Sequence, residues 1–419
     1  MPARRLRPPA QPLTFTLDGD RIEADEGEPL AFALIAADRL LLARSPKLHR
    51  PRGPFCLRGA CDGCLARVDG VPNVMTCLVH AHAGARVETQ NVLGSRTLDL
   101  LRATDWFFPK GIDHHHFLAG VPGLSPIMQS IARRVAGLGL LPEAVRPVAP
   151  GADESVDALI VGAGPAGIAA ASTLAAAGLG CVLVDDGPAP GGSLLAYGAQ
   201  ALADALARYP LGGVEVRPRT TAAGIYEGRV LLAGPERSGV VTPRLLVLAS
   251  GAHEGVLPFE NNDLPGVLAA RAGCRLLEAG ITPGARVVVA GHGPYARRFV
   301  ERAGSLVALH LAEDAEIVRV DGLTRVNAVT LREGGAPRQI EADALLVDAP
   351  GAPAFELAGQ AGAQLAYRPG RGYVPERDED GRALPGIFVV GGAAGLDPGP
   401  EAALADGRRV AEAALAKLG

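Results

Sequence analysis

The chain has 419 residues, which is long enough for two or three domains that each bury a hydrophobic core. Its 41 basic and 45 acidic side chains give a net charge of −4, so nothing in the charge balance points to nucleic acid or to an anionic membrane surface. A chain of this size does not need disulfides for stability, so its six cysteines must be explained by their positions.

The first twelve residues, MPARRLRPPAQP, have no apolar run, and they predict a short disordered tail at Arg4–Arg5 rather than a secretory signal. The uncharged stretch from Ala158 to Val184 is long enough to cross a membrane. Its glycines and β-branched ends instead predict strand, turn, helix and strand of a globular domain. We therefore expect no membrane span and a cytoplasmic location, where clustered cysteines bind metal more often than they form disulfides.

Residues 13–91 predict a small domain with a mixed sheet and one helix. LTFTL and RIEA flank the turn residues Asp18-Gly19-Asp20 as a hairpin, and residues 28–42 have the apolar spacing of a helix. A second hairpin is predicted around Asp69-Gly70, and ARVETQ supplies a last strand. This order predicts an α+β ferredoxin-like (β-grasp) domain, followed by a mostly helical connector at residues 92–155.

Four of the six cysteines lie within 22 residues of this first domain. Their spacing is C-x4-C-x2-C-x12-C, at Cys56, Cys61, Cys64 and Cys77. The first three match the plant-type spacing of a [2Fe–2S] cluster, and the small residues Gly59, Ala60 and Gly63 leave room for backbone N–H groups to point at sulfur. Structural zinc more often uses two C-x2-C pairs, and it remains an alternative together with free or oxidised thiols.

From Val156 onward, apolar strands alternate with Ala-rich helices, which predicts parallel sheets covered on both faces. The pattern occurs twice. We predict an α/β dinucleotide-binding domain of the Rossmann type at residues 156–270 and 369–419. A second, shortened NAD(P)-type domain is predicted as an insertion at residues 271–368.

A glycine loop, GAGPAG, joins the first strand of this region to its first helix. Its residues are Gly162, Gly164, Pro165, Ala166 and Gly167. In this context the glycines permit a tight turn, close approach of a pyrophosphate and close helix packing, and the helix N-terminus faces the phosphates. Asp185 and Asp186 follow the second strand, where an acid accepts the ribose hydroxyls. The loop therefore predicts dinucleotide binding.

The second copy of this pattern is poorer. Gly291 and Gly293 are retained and Ala296 takes the third position, but the following strand SLVALHL ends without an acid. A hairpin is predicted next, which leaves little room for a helical crossover. A working nicotinamide site and a degenerate fold kept for packing both remain open.

The order of these parts resembles the α subunit of heterotetrameric sarcosine oxidase and related subunits of hydrogen cyanide synthase, opine oxidases and proline or hydroxyproline dehydrogenases. The matching pieces are FTLDGDRIEADEGEPLAFALIAA, SPKLHRPRG, FFPKGID, GAGPAG continuing to VDDGPAPGGSL, ASGAHEGVLPFENNDLPGVL, and VVGGAAG. The glycine motifs are common among flavoproteins, whereas a cysteine domain fused before this connector is more specific. The resemblance implies a [2Fe–2S] cluster on the four cysteines and FAD in the first nucleotide fold.

By position, Asp186 matches the ribose-binding acid of these relatives better than Asp185, because it stands six residues before Gly192. Further predicted cofactor contacts are Gly192, Ser193, Gly251, Gly391 and Gly392. Gly392 stands where related FAD proteins often have an aspartate, so a carboxylate contact to the ribityl chain is missing. NAD and ATP therefore remain alternatives to FAD in this fold.

The leading functional hypothesis is a flavin-dependent oxidoreductase subunit that passes electrons between a flavin and the cluster. The resemblance implies a partner, an amine-oxidase-like flavoprotein, in an amine or amino-acid dehydrogenase or oxidase complex with a separate electron acceptor. Two alternatives are a self-sufficient NAD(P)H:acceptor oxidoreductase and a non-catalytic scaffold that binds a nucleotide. The sequence identifies no catalytic side chain, because in such proteins the cofactors carry the redox chemistry.

Overall fold

The computed structural model describes residues 3–45, 48–92, 94–99, 130, 142, 151–396 and 399–417. The chain divides into two compact units. The first combines Met1–Val145 with Leu257–Asp348, and the second combines Arg146–Val256 with Ala349–Gly419. The predicted helical connector, residues 92–155, lies mostly outside the described residues.

The first unit begins with a five-stranded sheet and one helix. Its elements are β1 (Arg4–Arg5), β2 (Pro12–Leu17), β3 (Asp20–Asp25), α1 (Leu30–Ala36), β4 (Ala43–Arg44), β5 (Pro51–Arg52), β6 (Leu65–Val68), β7 (Val71–Met75) and β8 (Arg86–Glu88). The sheet order is β3-β2-β8-β6-β7, in which β2 and β8 are parallel and the other neighbours are antiparallel. Both predicted hairpins, β2–β3 and β6–β7, are confirmed.

Two local predictions for this region were wrong. The helix ends at Ala36 rather than at Leu42, because Asp38 has a left-handed backbone (φ 58°) that cannot continue it. Arg4–Arg5 is not a free tail, since it pairs as an antiparallel strand with Ile281–Thr282. The Arg5 guanidinium also donates to both carboxylate oxygens of Glu28, at 3.0 and 2.8 Å.

The second unit opens as a parallel α/β fold. Its first elements are β9 (Glu154–Val161), α2 (Pro165–Ala176), β10 (Cys181–Val184), α3 (Ala199–Arg208), β11 (Val214–Arg217), β12 (Thr221–Tyr226), β13 (Arg229–Ala233) and β14 (Ser238–Leu248). The sheet order is β11-β10-β9-β14-β13-β12, and β9, β10, β11 and β14 run parallel. This order places the ends of β9, β10 and β14 at one edge, which positions the loops that follow them.

Residues 257–348 return to the first unit as a second, shorter nucleotide-type fold. Its elements are β15 (Val267–Ala269), α4 (Ala270–Glu278), β16 (Ile281–Thr282), β17 (Arg286–Ala290), α5 (Pro294–Ala303), β18 (Ala308–Ala312), β19 (Glu316–Asp321), β20 (Ala328–Arg332), β21 (Arg338–Glu341) and β22 (Ala344–Val347). A parallel sheet has the order β15-β22-β17-β18, and β19, β20 and β21 form an antiparallel meander. The predicted hairpin after SLVALHL is therefore confirmed, and it takes the place of a helical crossover.

The chain then completes the second unit. The last elements are α6 (Glu356–Gln360), β23 (Leu365–Arg368), β24 (Gly372–Pro375), β25 (Arg382–Leu384), β26 (Ile387–Val389) and α7 (Pro400–Ala416). Strand β26 is parallel to β14. Alternate residues of β9 face two cores: Ala158 and Ile160 pack with α2 and α7, while Leu159 and Val161 pack toward the β12–β13 side. Among the described helices, none is long and apolar enough to span a membrane.

The observed insertion, Leu257–Asp348, differs from the predicted limits of 271–368 at both edges. Strand β15 joins the sheet of the first unit, so the insertion starts earlier. Ala358 and Ala363 pack into a core of the second unit, so the insertion ends earlier as well. The insertion forms one compact unit with the cysteine domain, an association that the sequence did not predict.

Candidate functional site

The four predicted cluster ligands lie in the loop between β5 and β6 and just after β7. Cys56, Cys64 and Cys77 are buried, and Cys61 is partly exposed. Their thiols form two pairs, because Cys61 is hydrogen-bonded to Cys56 and Cys77 to Cys64. The hydrogen bond from Cys61 lowers the pKa of Cys56 to about 6, and the bond from Cys77 lowers the pKa of Cys64. One thiol of each pair is therefore predisposed to become a thiolate.

Two thiol pairs suit a binuclear cluster, in which four cysteines are shared between two irons. No three His, Cys, Asp or Glu side chains within the described part of the chain are grouped so that they could hold one metal ion. All four cysteines are free thiols, so they form no disulfides. The donor set therefore fits a [2Fe–2S] cluster.

Backbone N–H groups of the loop point at the ligand sulfurs. The N–H of Gly59 donates to Cys77 Sγ at 3.2 Å, and the N–H of Arg58 donates to Cys56 Sγ at 3.5 Å. Gly59 has a φ of +82°, and a Cβ there would lie 2.8 Å from Leu78 Cδ1. Hydrogen bonds to sulfur favour the charged thiolate that binds iron. The left-handed backbone of Gly59 favours glycine at this position, and a larger residue would also need the Leu78 side chain to move.

Arg275 of helix α4 is a neighbour of this loop that the sequence did not reveal. Its guanidinium donates a hydrogen bond to the Leu57 carbonyl and lies 5.5 Å from the centroid of the Phe32 ring. Burial, followed by the charge of Arg271, lowers the pKa of Arg275 to about 10, so Arg275 keeps its charge at neutral pH. Positions 57 and 275 are 218 residues apart, and no local pattern connects them.

The predicted dinucleotide loop joins β9 to α2, whose N-terminus has no side-chain cap. Gly162 has a φ of +105°, and a Cβ there would lie 2.3 Å from the Ala249 carbonyl oxygen. A Cβ at Gly167 would lie 1.8 Å from the Gly162 oxygen, so close packing requires both glycines. A Cβ at Gly164 would meet only the Cα of Gly192, at 3.9 Å. Gly164 therefore keeps space open at the helix N-terminus, where a pyrophosphate can approach N–H groups.

The two acids after β10 have different surroundings. Asp185 Oδ2 accepts from the Ala163 N–H at 2.6 Å, and its Oδ1 accepts from the Gly187 N–H at 2.8 Å. Asp185 therefore holds the glycine loop itself. Asp186 is exposed and follows the same strand end. This division is consistent with Asp186 as the ribose acid, which stays a prediction.

The remaining predicted contacts lie close to this loop. A Cβ at Gly192 would be 2.6 Å from the Cα of Gly164, and a Cβ at Gly391 would be 2.8 Å from the Ala166 Cβ. Gly192 and Ser193 begin a short 3-10 turn that ends at Ala196. The structure thus brings the segments after β9, β10 and β26 together at the carboxyl edge of the sheet, where ligands of such folds bind.

Gly392 has a structural reason for lacking a side chain. A Cβ at this position would lie 3.1 Å from the carbonyl carbon of Gly251, which itself has a φ of +77°. The contact brings the end of β26 close to the end of β14. An aspartate at position 392 would need the neighbouring backbone to move by a few tenths of an ångström.

Asp406 of α7 is a second contributor that the sequence analysis missed. Its Oδ2 accepts from the Gly391 N–H at 2.9 Å, and its two oxygens accept from Arg377 at 3.0 and 3.1 Å. Burial alone would raise the pKa of Asp406, but the hydrogen bonds from Arg377 and Gly391 lower it below the ordinary value. The available sequence signal was an aspartate within an Ala-rich predicted helix.

Asp406→Asn is expected to destabilise the protein by about 2 kcal/mol, because it leaves the half-buried Arg377 without the counter-charge of the buried Asp406. The folded-state pKa of Asp406 is depressed, so its contribution is present above the unfolded pKa and is lost as pH falls through the folded value. Urea unfolding of the wild type and the variant should therefore show a difference in free energy of unfolding that is constant near neutral pH and becomes smaller in acid. Exposed Asp204→Asn is the control. A difference in unfolding free energy that does not change with pH would contradict the role of this charge.

The glycine loop of the second nucleotide fold already holds a carboxylate. Asp348 follows β22, and its Oδ2 accepts from the Ala296 N–H in the first turn of α5, at 2.7 Å. A Cβ at Gly293 would lie 2.5 Å from the same oxygen. A negative charge here competes with the phosphates that such a helix N-terminus would bind. The geometry favours the degenerate fold over a working nicotinamide site.

Comparison with known families supports the assignment of both folds. Residues 10–92 match the family described as "2Fe-2S iron-sulfur cluster binding domain", and residues 156–309 match "Pyridine nucleotide-disulphide oxidoreductase". The predicted fold class is therefore confirmed, and the chain carries domains for a [2Fe–2S] cluster and FAD.

The chain is also similar to individual proteins over long stretches. It is 30% identical to the α subunit of sarcosine oxidase from Rhizobium meliloti, over 100% of this chain and 47% of that protein. It is 28% identical to an opine oxidase subunit from Agrobacterium tumefaciens, over 62% of this chain and 66% of that protein. The chain thus spans about half the length of the first of these relatives.

A solved structure has the same fold along the whole chain. The L-proline dehydrogenase of P. horikoshii superimposes with a TM-score of 0.76 at 22% identity, covering 100% of this chain and 76% of that one. The resemblance to sarcosine oxidase, opine oxidase and proline dehydrogenase subunits that the sequence suggested is confirmed.

Proposed function

We propose that this chain, which is similar along its whole length to one sarcosine oxidase α subunit, is an electron-transfer subunit of a flavin-dependent amine or amino-acid oxidase or dehydrogenase complex. One observation carries the proposal: a cysteine loop with two thiol pairs and a dinucleotide loop occur in one chain. The proposed partner is an amine-oxidase-like flavoprotein subunit that oxidises a C–N bond. The sarcosine oxidase and opine oxidase relatives named above are themselves described as subunits of oxidases.

The residues of this chain have holding and positioning roles in the proposal. Cys56, Cys61, Cys64 and Cys77 would hold the cluster. The α2 N-terminus beside Gly164 would bind a pyrophosphate, and Asp186 would bind ribose hydroxyls. When bound, a flavin takes up two electrons and a [2Fe–2S] cluster passes them on singly. No side chain of this chain is given a catalytic role.

The test is the visible and EPR spectrum of the purified protein, together with identification of its acid-extracted nucleotide. We expect a flavin, a rhombic EPR signal after reduction, and reduction by an amine substrate only when the flavoprotein partner is added. A colourless protein that retains NAD or ATP would instead support the scaffold hypothesis. Reduction by an amine without a partner would contradict the electron-transfer role.

The stand-alone NAD(P)H oxidoreductase is the second candidate, and Asp348 argues against it. Anaerobic NADH is expected to leave the visible spectrum of the purified protein unchanged. Asp348→Asn keeps the hydrogen-bond acceptor but removes the charge, so we expect NADH to bind severalfold more tightly, as judged by fluorescence titration. Asp314→Asn, exposed in the same unit, is the matched control. Rapid bleaching of the wild-type protein by NADH would reverse this ranking.

A further inference from the structure

The cluster loop contains a strained residue whose carbonyl is held by Arg275. Leu57 follows the first ligand, Cys56, and has a left-handed backbone with a φ of 54°. Such a conformation is unfavourable for a non-glycine residue and persists only when neighbours hold it. The Leu57 side chain is 1% exposed, and its carbonyl oxygen accepts the hydrogen bond from Arg275.

Helix α4 of the second nucleotide fold contacts the cluster loop at two points. The Ala269 N–H, at the N-terminus of α4, donates to the Phe55 carbonyl at 3.1 Å. Arg275 lies one to two turns further along the same helix and reaches Leu57. Two hydrogen bonds from this segment therefore hold the residues on either side of Cys56.

Arg275 also brings positive charge to the thiol pairs. Its guanidinium interacts electrostatically with both Cys56 and Cys77, one member of each pair, and with the neighbouring cations Arg271 and Arg58. A cluster on four thiolates is anionic and becomes more negative by one charge on reduction. A fixed cation beside it stabilises the reduced state more than the oxidised state, which raises the reduction potential.

We propose that Arg275 is a positioning residue of the cluster site: it fixes the Leu57 peptide and raises the reduction potential of the cluster. The second nucleotide fold then serves the cluster by supplying this cation, while Asp348 places a carboxylate at the N-terminus of its own helix α5. The part of this inference that concerns the potential rests on the proposed function, since it requires a bound cluster. The part that concerns the loop does not.

The test compares Arg275→Met, Arg275→Lys and the control Arg302→Met, which removes an exposed arginine of α5. In an EPR-monitored redox titration, R275M is expected to lower the equilibrium constant for cluster reduction about tenfold. This corresponds to a midpoint potential lower by about 59 mV for one electron. R275K keeps the charge and is expected to restore most of the potential. R302M should leave it unchanged. An R275M potential equal to wild type, or an R275K potential equal to that of R275M, would overturn the electrostatic role.

Hydrogen exchange of the cluster-free protein tests the loop separately. In R275M, amides of residues 56–60 are expected to exchange faster than in the wild type, while those of strand β10 in the second unit stay the same. Unchanged exchange in residues 56–60 would overturn the anchoring role, whatever cofactor the protein binds. A wild-type protein that takes up no cluster would overturn the proposed function and the potential effect, and the exchange result would still decide the anchoring.

Discussion

Cys61→Ser is expected to abolish the visible band and the EPR signal of the cluster. Cys61 is paired with Cys56, so its loss leaves one iron with a single protein thiolate from that pair. Loss of an outer-shell partner already costs about 10–100-fold in metal affinity, and loss of a direct ligand should cost more. Iron and sulfide analysis after reconstitution, beside the spectra, measures this effect.

Cys181→Ala is the matched control for this variant. Cys181 is a free, buried cysteine in β10 of the second unit, and burial raises its pKa to about 11, so it stays a neutral thiol. Cluster content should be unchanged in this variant. Equal iron content in wild type and Cys61→Ser, or metal that proves to be zinc in the wild type, would refute the cluster assignment.

Gly164→Val is expected to remove the bound dinucleotide while leaving the fold intact. Gly164 has an ordinary extended backbone, and a Cβ there meets no atom closer than 3.9 Å, so the substitution should cost little stability. The added methyl groups would instead enter the space at the N-terminus of α2. We expect at least about 100-fold weaker binding, or ~2.7 kcal/mol, in a calorimetric titration with the extracted nucleotide.

Two further variants separate binding from folding. Gly212→Val adds the same side chain in open space of the same unit and should change neither property. Gly167→Ala places a Cβ 1.8 Å from the Gly162 oxygen, so it should lower the melting temperature instead. If Gly164→Val retains its nucleotide with unchanged affinity, the cofactor does not use this loop.

The local elements could be predicted because their signals lie within a few residues. Asp18-Gly19 and Asp69-Gly70 mark the two hairpins of the first domain, and both form. The continuous apolar run ALIV identified β9 as buried on both faces. The end of α1 was harder to predict, because apolar spacing continued past the point where Asp38 turns the backbone.

The candidate ligands were predictable for the same reason. The x4 and x2 spacings of the cysteines and the glycines of GAGPAG are short-range patterns that a cofactor requires directly. Their second-layer partners were not predictable. Arg275 and Asp348 reach their loops across 218 and 52 residues, and only the packing of α4 and the order of the parallel strands creates those contacts.

The sequence by itself determined the cysteine loop, the first glycine loop and the order of α+β and α/β domains, because periodicity and spacing act over a few residues. Only the tertiary structure decided that the cysteine domain and the inserted fold form one compact unit. It also decided that Asp348 accepts a hydrogen bond at the N-terminus of α5 and that Arg275 donates one to the strained Leu57 peptide. These outcomes depend on hydrogen bonds and charges between distant segments, which no local pattern records.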